Sequence, residues 1–173
     1  MLKATALVEN KDGHGMTGEH GLSVYIEYGD VKLLLDAGTT DLFAENAKAL
    51  GVDLENVDIA VLSHAHYDHS GGFACFLKKN QKADLWLQRS CKENCYRQSF
   101  NGKKYIGIPK GFLKDQQKRL RFVSGDRMIG PWIWLISHHM DELAQKGEMA
   151  KMYRQEDNMW VFDDFSHEQS LVF

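Results

Sequence analysis

Four side chains able to ligate a metal fall within six residues of this chain. They are His64, His66, Asp68 and His69, in the run Ser63-His64-Ala65-His66-Tyr67-Asp68-His69-Ser70-Gly71-Gly72. Imidazole and carboxylate are the usual donors for catalytic zinc, iron or manganese. His64 and His66 are two apart, so in extended backbone they project to the same side and can grip one metal together. Asp68 and His69 follow where the chain must turn, which lets them face a second metal nearby. Two divalent cations held about 3.5–4 Å apart make hydroxide available near neutral pH by lowering the pKa of a shared water. Asp68 is then the group placed to orient that nucleophile and pass a proton. The expected reaction is hydrolysis of an ester, thioester, amide or phosphoester. A chance cluster of surface histidines is the bland alternative. Against it, three of the chain's eight histidines fall in this one segment, at a strand end, where α/β enzymes place active sites.

The elements that must position these residues can be read on either side. Residues 4–9 read as a first strand, and glycine-rich 10–21 as a loop. Leu22 to Tyr28 and Val31 to Leu35 flank Gly29-Asp30 as a β-hairpin. The second arm ends at Asp36-Ala37-Gly38, which puts a carboxylate at a strand end. Thr40 or Asp41 can cap a helix over Leu42 to Leu50, with Gly51 as its stop. Residues 57–62 are a mostly apolar run of the kind found in buried strands, and the histidine cluster follows at once. Gly71-Gly72 allow a tight turn into a second helix, Phe73 to Lys79. Residues 83–88, 121–123, 132–136, 158–162 and 170–173 have strand character. The stretch 90–117 is polar and less regular, and 140–154 reads as a mobile helix or loop insertion. Alternation of strands and helices predicts an α/β architecture.

Length and composition set the frame. A chain of 173 residues, 43% hydrophobic and 26% charged, is expected to form one domain. A formal charge of −3 offers no bulk attraction to nucleic acid or anionic lipid. No apolar run approaches the roughly 20 residues of a membrane helix, and no signal peptide opens the chain, so the expected compartment is the cytoplasm. Three cysteines do not make a disulfide framework, and Cys91 and Cys95 are read as reduced and structurally incidental.

His-x-His-x-Asp-His after a hydrophobic strand resembles the signature of the metallo-β-lactamase superfamily. Glu19-His20-Gly21-Leu22-Ser23, Leu35-Asp36-Ala37-Gly38 and the run from Asp163 to Val172 look like one branch of it. That branch holds metal-dependent hydrolases similar to the dihydropterin–ribofuranosylaminobenzene phosphate synthase. The resemblance implies an α/β fold, a four-layer αββα sandwich with two metals at one edge of the paired sheets. Zinc is the expected ion, with iron or manganese as alternatives. His64 and His66 match ligands of the first metal, Asp68 and His69 ligands of the second. Asp36 matches an aspartate lying beside the site, behind the ligands, with Ala37 standing where the family has Thr. In the family, a third histidine, a bridging aspartate and a last histidine come from later strands. The chain is therefore expected to hold the N-terminal portion of the sandwich, truncated at its C-terminal end, where it stops on Leu171-Val172-Phe173.

His138, His139 and His167 are the remaining histidines that could stand in, and the reading places only His167 near the substrate. The substrate is expected to be a small molecule. Half a sandwich leaves a sheet face or edge open, which points to a homo-oligomer. Two other readings remain: a truncated, catalytically inactive metal-binding protein, and a diiron oxidoreductase. The basic stretch from Lys103 to Arg121 is read as a solvated face rather than a phosphate grip. Trp132 and Trp134, alternating with Ile133 and Leu135, are read as core residues of a strand buried on both sides.

Overall fold

In the computed structural model, which describes residues 1–13, 15–138 and 142–173, the first half of the chain builds a mixed sheet. Strand β1 (Leu2–Val8) pairs antiparallel with β2 (Ser23–Tyr28), and β2 with β3 (Val31–Leu35) through the expected Gly29-Asp30 hairpin. Helix α1 (Leu42–Ala49) returns the chain to β4 (Ile59–Val61), which lies parallel to β3. A four-residue helix, α2 (Tyr67–Ser70), and α3 (Phe73–Lys79) lead to β5 (Asp84–Gln88), parallel to β4.

The hairpin β6 (Cys95–Ser99) and β7 (Gly102–Tyr105) follows, then the short α4 (Phe112–Asp115). β8 (Leu120–Val123) closes the large sheet beside β5. The remainder comprises β9 (Arg127–Gly130), β10 (Ile133–Ser137), α5 (Glu142–Ala150), β11 (Met152–Glu156), β12 (Met159–Phe162) and β13 (Gln169–Val172). These strands give a six-stranded sheet in the order β1-β2-β3-β4-β5-β8, a three-stranded sheet β13-β10-β9 and a four-stranded sheet β12-β11-β6-β7.

Two apolar cores grip the large sheet from opposite faces. Because successive side chains on a strand point to opposite sides, Leu34 and Leu33 serve different cores. Leu34, Ala60 and Leu85 pack with Phe43 and Ala47 of α1 and Phe73 and Phe76 of α3. Leu33 and Ile26 pack with Ile133 of the small sheet, and Val61 with Leu135. Helices, large sheet and small sheet thus form three stacked layers of the expected αββα arrangement. α1 is held at its centre by the buried Asn46, whose amide donates to the carbonyls of Leu7 and Thr17. At its start the Thr40 hydroxyl, not Asp41, accepts from the Leu42 amide. Among the described residues no helix is long and apolar enough to cross a membrane.

Three expectations need correction. The stretch 90–117 holds a hairpin, β6–β7, and a short helix; Asn101-Gly102, a strong turn signal, was the clue to it. Residues 142–156 form α5 and β11, whereas Met140 and Asp141 lie outside the described residues. Trp132 and Trp134 are not core: they are 76% and 40% exposed, while Ile133 and Leu135 are fully buried. The small sheet is covered on one side only, so alternation along β10 buries one set of side chains and exposes the other. Trp134 lies in register with Met128 and Val172, which makes a solvent-facing apolar row across that sheet. By this reading Phe76→Ala costs about 3–5 kcal/mol of stability, whereas Trp132→Ala changes it by no more than about 0.5 kcal/mol. Urea denaturation of the two variants checks the contrast.

Candidate metal centre

β3 and β4 run parallel with Leu35 opposite Val61, so both strands finish at the same edge of the sheet. Asp36 leaves β3 there, and Ser63 to His69 leave β4. Asp36 is fully buried and sits at φ 58°, in the left-handed region that aspartate tolerates better than most residues. Its Oδ1 accepts from the Ser63 amide at 2.7 Å. Its Oδ2 accepts from the Ser63 hydroxyl and lies 2.7 Å from His69 Nδ1. Asp36 thus ties the start of the motif, Ser63, to its last histidine, His69.

These bonds assign the ring protons. The single Ser63 hydroxyl hydrogen goes to Asp36, so the 2.9 Å contact between Ser63 Oγ and His64 Nδ1 is a donation from the ring. A neutral imidazole carries one hydrogen, so the Nε2 lone pair of His64 is free. By the same logic His69 Nδ1–H donates to Asp36 and leaves its Nε2 free, 3.7 Å from Asp68 Oδ2. The His64 ring centroid lies 4.0 Å from that of His69 and 4.7 Å from that of His66. Burial, reinforced by the neighbouring imidazoles, pulls the pKa of His64 down to about 2, which keeps it neutral and ready to ligate. For His69 burial acts downward too, but the hydrogen bond and charge of Asp36, with the charge of Asp68, win and raise it.

The motif's turn depends on missing side chains. Gly71 and Gly72 are both in ordinary right-handed helical conformation; what they allow is close approach rather than the expected tight turn. A Cβ on Gly71 would meet the Thr39 carbonyl at 2.0 Å, and one on Gly72 the Ala37 carbonyl at 2.2 Å. The loop after β3 is therefore pressed directly onto α2. Glu19 ties that loop down, accepting from the amides of Thr39 and Thr40 and the Thr40 hydroxyl. Its neighbour His20 brings Nε2 to 3.3 Å from Asp68 Oδ2.

The last segment of the chain closes the motif from below. Gln169 donates from its amide to the Ser63 carbonyl and from its side chain to that of Leu62. His167, expected beside the substrate, is completely buried. Its Nδ1 accepts from the Ala65 amide at 3.1 Å, and its Nε2 lies 3.2 Å from Asp163 Oδ2 and 3.8 Å from Cys95 Sγ. His66 Nε2 is buried with no hydrogen-bond partner, 3.8 Å from the same Asp163 oxygen. His66, Cys95, Asp163 and His167 bring one donor atom each to within 4.8 Å of one another. His138 is engaged elsewhere, 2.8 Å from Ser170 Oγ, and His139 lies outside the described residues.

His20, Cys95 and Asp163 were not singled out from sequence as site residues. His20 and Asp163 stand inside segments that carried the resemblance, which was the available signal; nothing local marked Cys95. The three cysteines are free, and burial pushes the Cys91 thiol up to about 12 and that of Cys95 higher still. The basic stretch makes internal contacts. Lys103 lies over the Tyr153 ring at 4.2 Å, Lys110 over Tyr105 at 4.2 Å, and Arg121 pairs with Asp84 at 2.8 Å.

With this geometry in view, the family model of the metallo-beta-lactamase superfamily matches residues 16–140 of the 173, well over half of the chain. The chain belongs to that superfamily. A metal-dependent hydrolase of the beta-lactamase superfamily superposes with a TM-score of 0.78 at 25% identity, over 99% of this chain and 60% of its own. A Thermotoga maritima protein shares the fold alone, with a TM-score of 0.55 at 15% identity over 99% and 77% of the two chains. Two Methanocaldococcus jannaschii proteins are similar in sequence. One is uncharacterized, with 28% identity over 59% of this chain and 39% of its own. The other is the 7,8-dihydropterin-6-methyl-4-(beta-D-ribofuranosyl)-aminobenzene-5'-phosphate synthase, with 32% identity over 47% of this chain and 30% of its own. The chain thus spans 60% of that hydrolase and 30–39% of these curated relatives.

The Asp36 node yields a direct test. Replacing it by Ala strips the Ser63 amide, the Ser63 hydroxyl and His69 Nδ1 of one acceptor at once. Asp36→Ala should cost about 3–5 kcal/mol, the range for breaking a buried charged pair, as read by urea denaturation of the metal-free protein. A loss under 1 kcal/mol would remove the carboxylate from its central place.

Proposed function

We propose that this chain carries the metal-gripping part of a metal-dependent hydrolase, with His64, His66, Asp68 and His69 as its metal ligands. One observation carries the reading. His64 and His69 each have Nδ1 tied to the protein, by Ser63 and Asp36, and each keeps a free Nε2 lone pair in a half-buried cluster beside the Asp68 carboxylate. Rings held this way, with the far nitrogen hydrogen-bonded, are the usual setting of metal-ligating histidines. The donor set, three imidazoles and a carboxylate, suits zinc, with iron or manganese as alternatives. Two such ions would supply Lewis acidity and hydroxide near neutral pH.

The chain's own residues do the rest. Asp68 Oδ2, within 3.3 Å of His20 and 3.7 Å of His69, is placed to ligate, to orient a nucleophile and to hold a proton. His167, wholly buried, acts from beneath the motif rather than on the substrate. The proposed substrate is a small-molecule ester, thioester or phosphoester. Similarity to the dihydropterin synthase adds phosphorylated pterin-like compounds to the screen. A second reading is metal binding by these residues without turnover. The exposed row of Met128, Trp134 and Val172 supports a homo-oligomer.

Elemental analysis of the purified protein tests the site. Between one and two equivalents of metal per chain are expected, falling below about 0.2 in His66→Ala/Asp68→Ala. Equal metal in both proteins would overturn the ligand assignment. Hydrolysis of p-nitrophenyl esters or phosphodiesters by the loaded chain supports the hydrolase; metal without turnover leaves the second reading.

A further inference from the structure

The buried group formed by His66, Cys95, Asp163 and His167 resembles a four-donor metal site, but its hydrogen bonds speak against that use. The Ala65 amide can only donate, so His167 Nδ1 must accept, and the neutral His167 ring carries its hydrogen on Nε2. That hydrogen faces Asp163 Oδ2 at 3.2 Å, leaving no lone pair for an ion. Asp163 also faces a cation: Arg154 Nε lies 3.5 Å from its Oδ1 and Arg154 Nη2 2.7 Å from Asp164. The Phe165 amide donates to Oδ1 as well. Two buried nitrogens around Asp163 lack a hydrogen-bond partner, Arg154 Nε and His66 Nε2, the latter on a side chain 9% exposed. A buried ring nitrogen left unpaired destabilises the fold, and the fully buried Asp163 is the carboxylate facing it, at 3.8 Å.

We propose that Asp163, itself fixed by His167, Arg154 and the Phe165 amide, is the positioning carboxylate of His66: it takes the Nε2 hydrogen and thereby sets the ring's tautomer and direction. This rests on His66 being a metal ligand, the reading given above. The two atoms stand 3.8 Å apart in this structure, so the pairing requires the ring to turn until they meet. The arrangement answers Asp36 on His69. One buried carboxylate comes from the end of β3 and the other from the segment before β13, so two of the three rings of the motif are aimed from opposite ends of the chain. His167, within reach of both Ala65 and Asp163, couples that segment to the motif's backbone.

Imidazole nitrogen shifts from long-range proton–nitrogen NMR of metal-free, nitrogen-15-labelled protein give the test, and need no variant. The expected result is His66 in the Nε2–H form; a dominant Nδ1–H form would overturn the proposal. In Asp163→Asn the form should shift toward Nδ1–H, and zinc affinity, measured by chelator competition, should fall about 10–100-fold with the fold intact by circular dichroism. Unchanged affinity in the folded variant overturns it. Cys95→Ser, which spares the carboxylate, should change neither readout. A thiolate-to-cobalt absorption band in the cobalt-loaded protein, lost in Cys95→Ser, would also overturn it, by placing an ion among the four donors. If no metal binds at all, the hydrolase reading fails while the tautomer result still decides the role of Asp163.

Discussion

Asp36 accepts hydrogen bonds from the Ser63 amide, the Ser63 hydroxyl and His69 Nδ1 in a place without solvent. The register of β3 against β4 and the direction of the motif's last histidine are therefore one constraint, not two. A slip of one residue in either strand would turn every side chain to the opposite face, and the carboxylate would lose all three partners. Ser63 extends the constraint to His64 by passing its only hydrogen to Asp36 and taking one from the ring. The strained backbone of Asp36 is tolerable because its surroundings leave it no alternative.

Packing supplies the rigidity on which that node relies. The carbonyls of Ala37 and Thr39 lie against Gly72 and Gly71 with no room for a Cβ, so the loop after β3 and the helix after the motif move as one body. Glu19 fastens the same loop from the other side, and a neighbouring residue, His20, reaches Asp68. On the far face of the large sheet, Ile133 and Leu135 of the small sheet press on Leu33 and Val61 of β3 and β4. The strands that end at the histidine motif are thus clamped on both faces, by helices on one side and a second sheet on the other.

Much of this was legible in the sequence where a signal was local. The hairpin at Gly29-Asp30 and the helix after Thr40 have turn and capping chemistry written within a few residues. The motif's four donor side chains were plain from residue type and spacing, and the structure brings the three rings together. What was hidden was long-range. Nothing near Trp134 says that only one face of its strand is covered, because that depends on which sheet lies across from it. Cys95 and Asp163 meet His66 only through tertiary folding, and the burial of His167 depends on where β13 docks. Gly71-Gly72 invited a reading in terms of turns, yet their role is set by carbonyls 32 and 35 residues earlier.

The bond from the Ala65 amide to His167 spans 102 residues, and that from Gln169 to Leu62 spans 107. During synthesis at about 5–20 residues per second, the histidine motif therefore leaves the ribosome some 5–20 seconds before the segment that supports it exists. Loops of this length also make the closing contacts the slow ones in folding. For that interval the motif is a flexible peptide with three imidazoles and a carboxylate, able to take up whichever cation is at hand but without geometry to discriminate. Any discrimination the motif makes among cations would thus wait until β13 has docked beneath it.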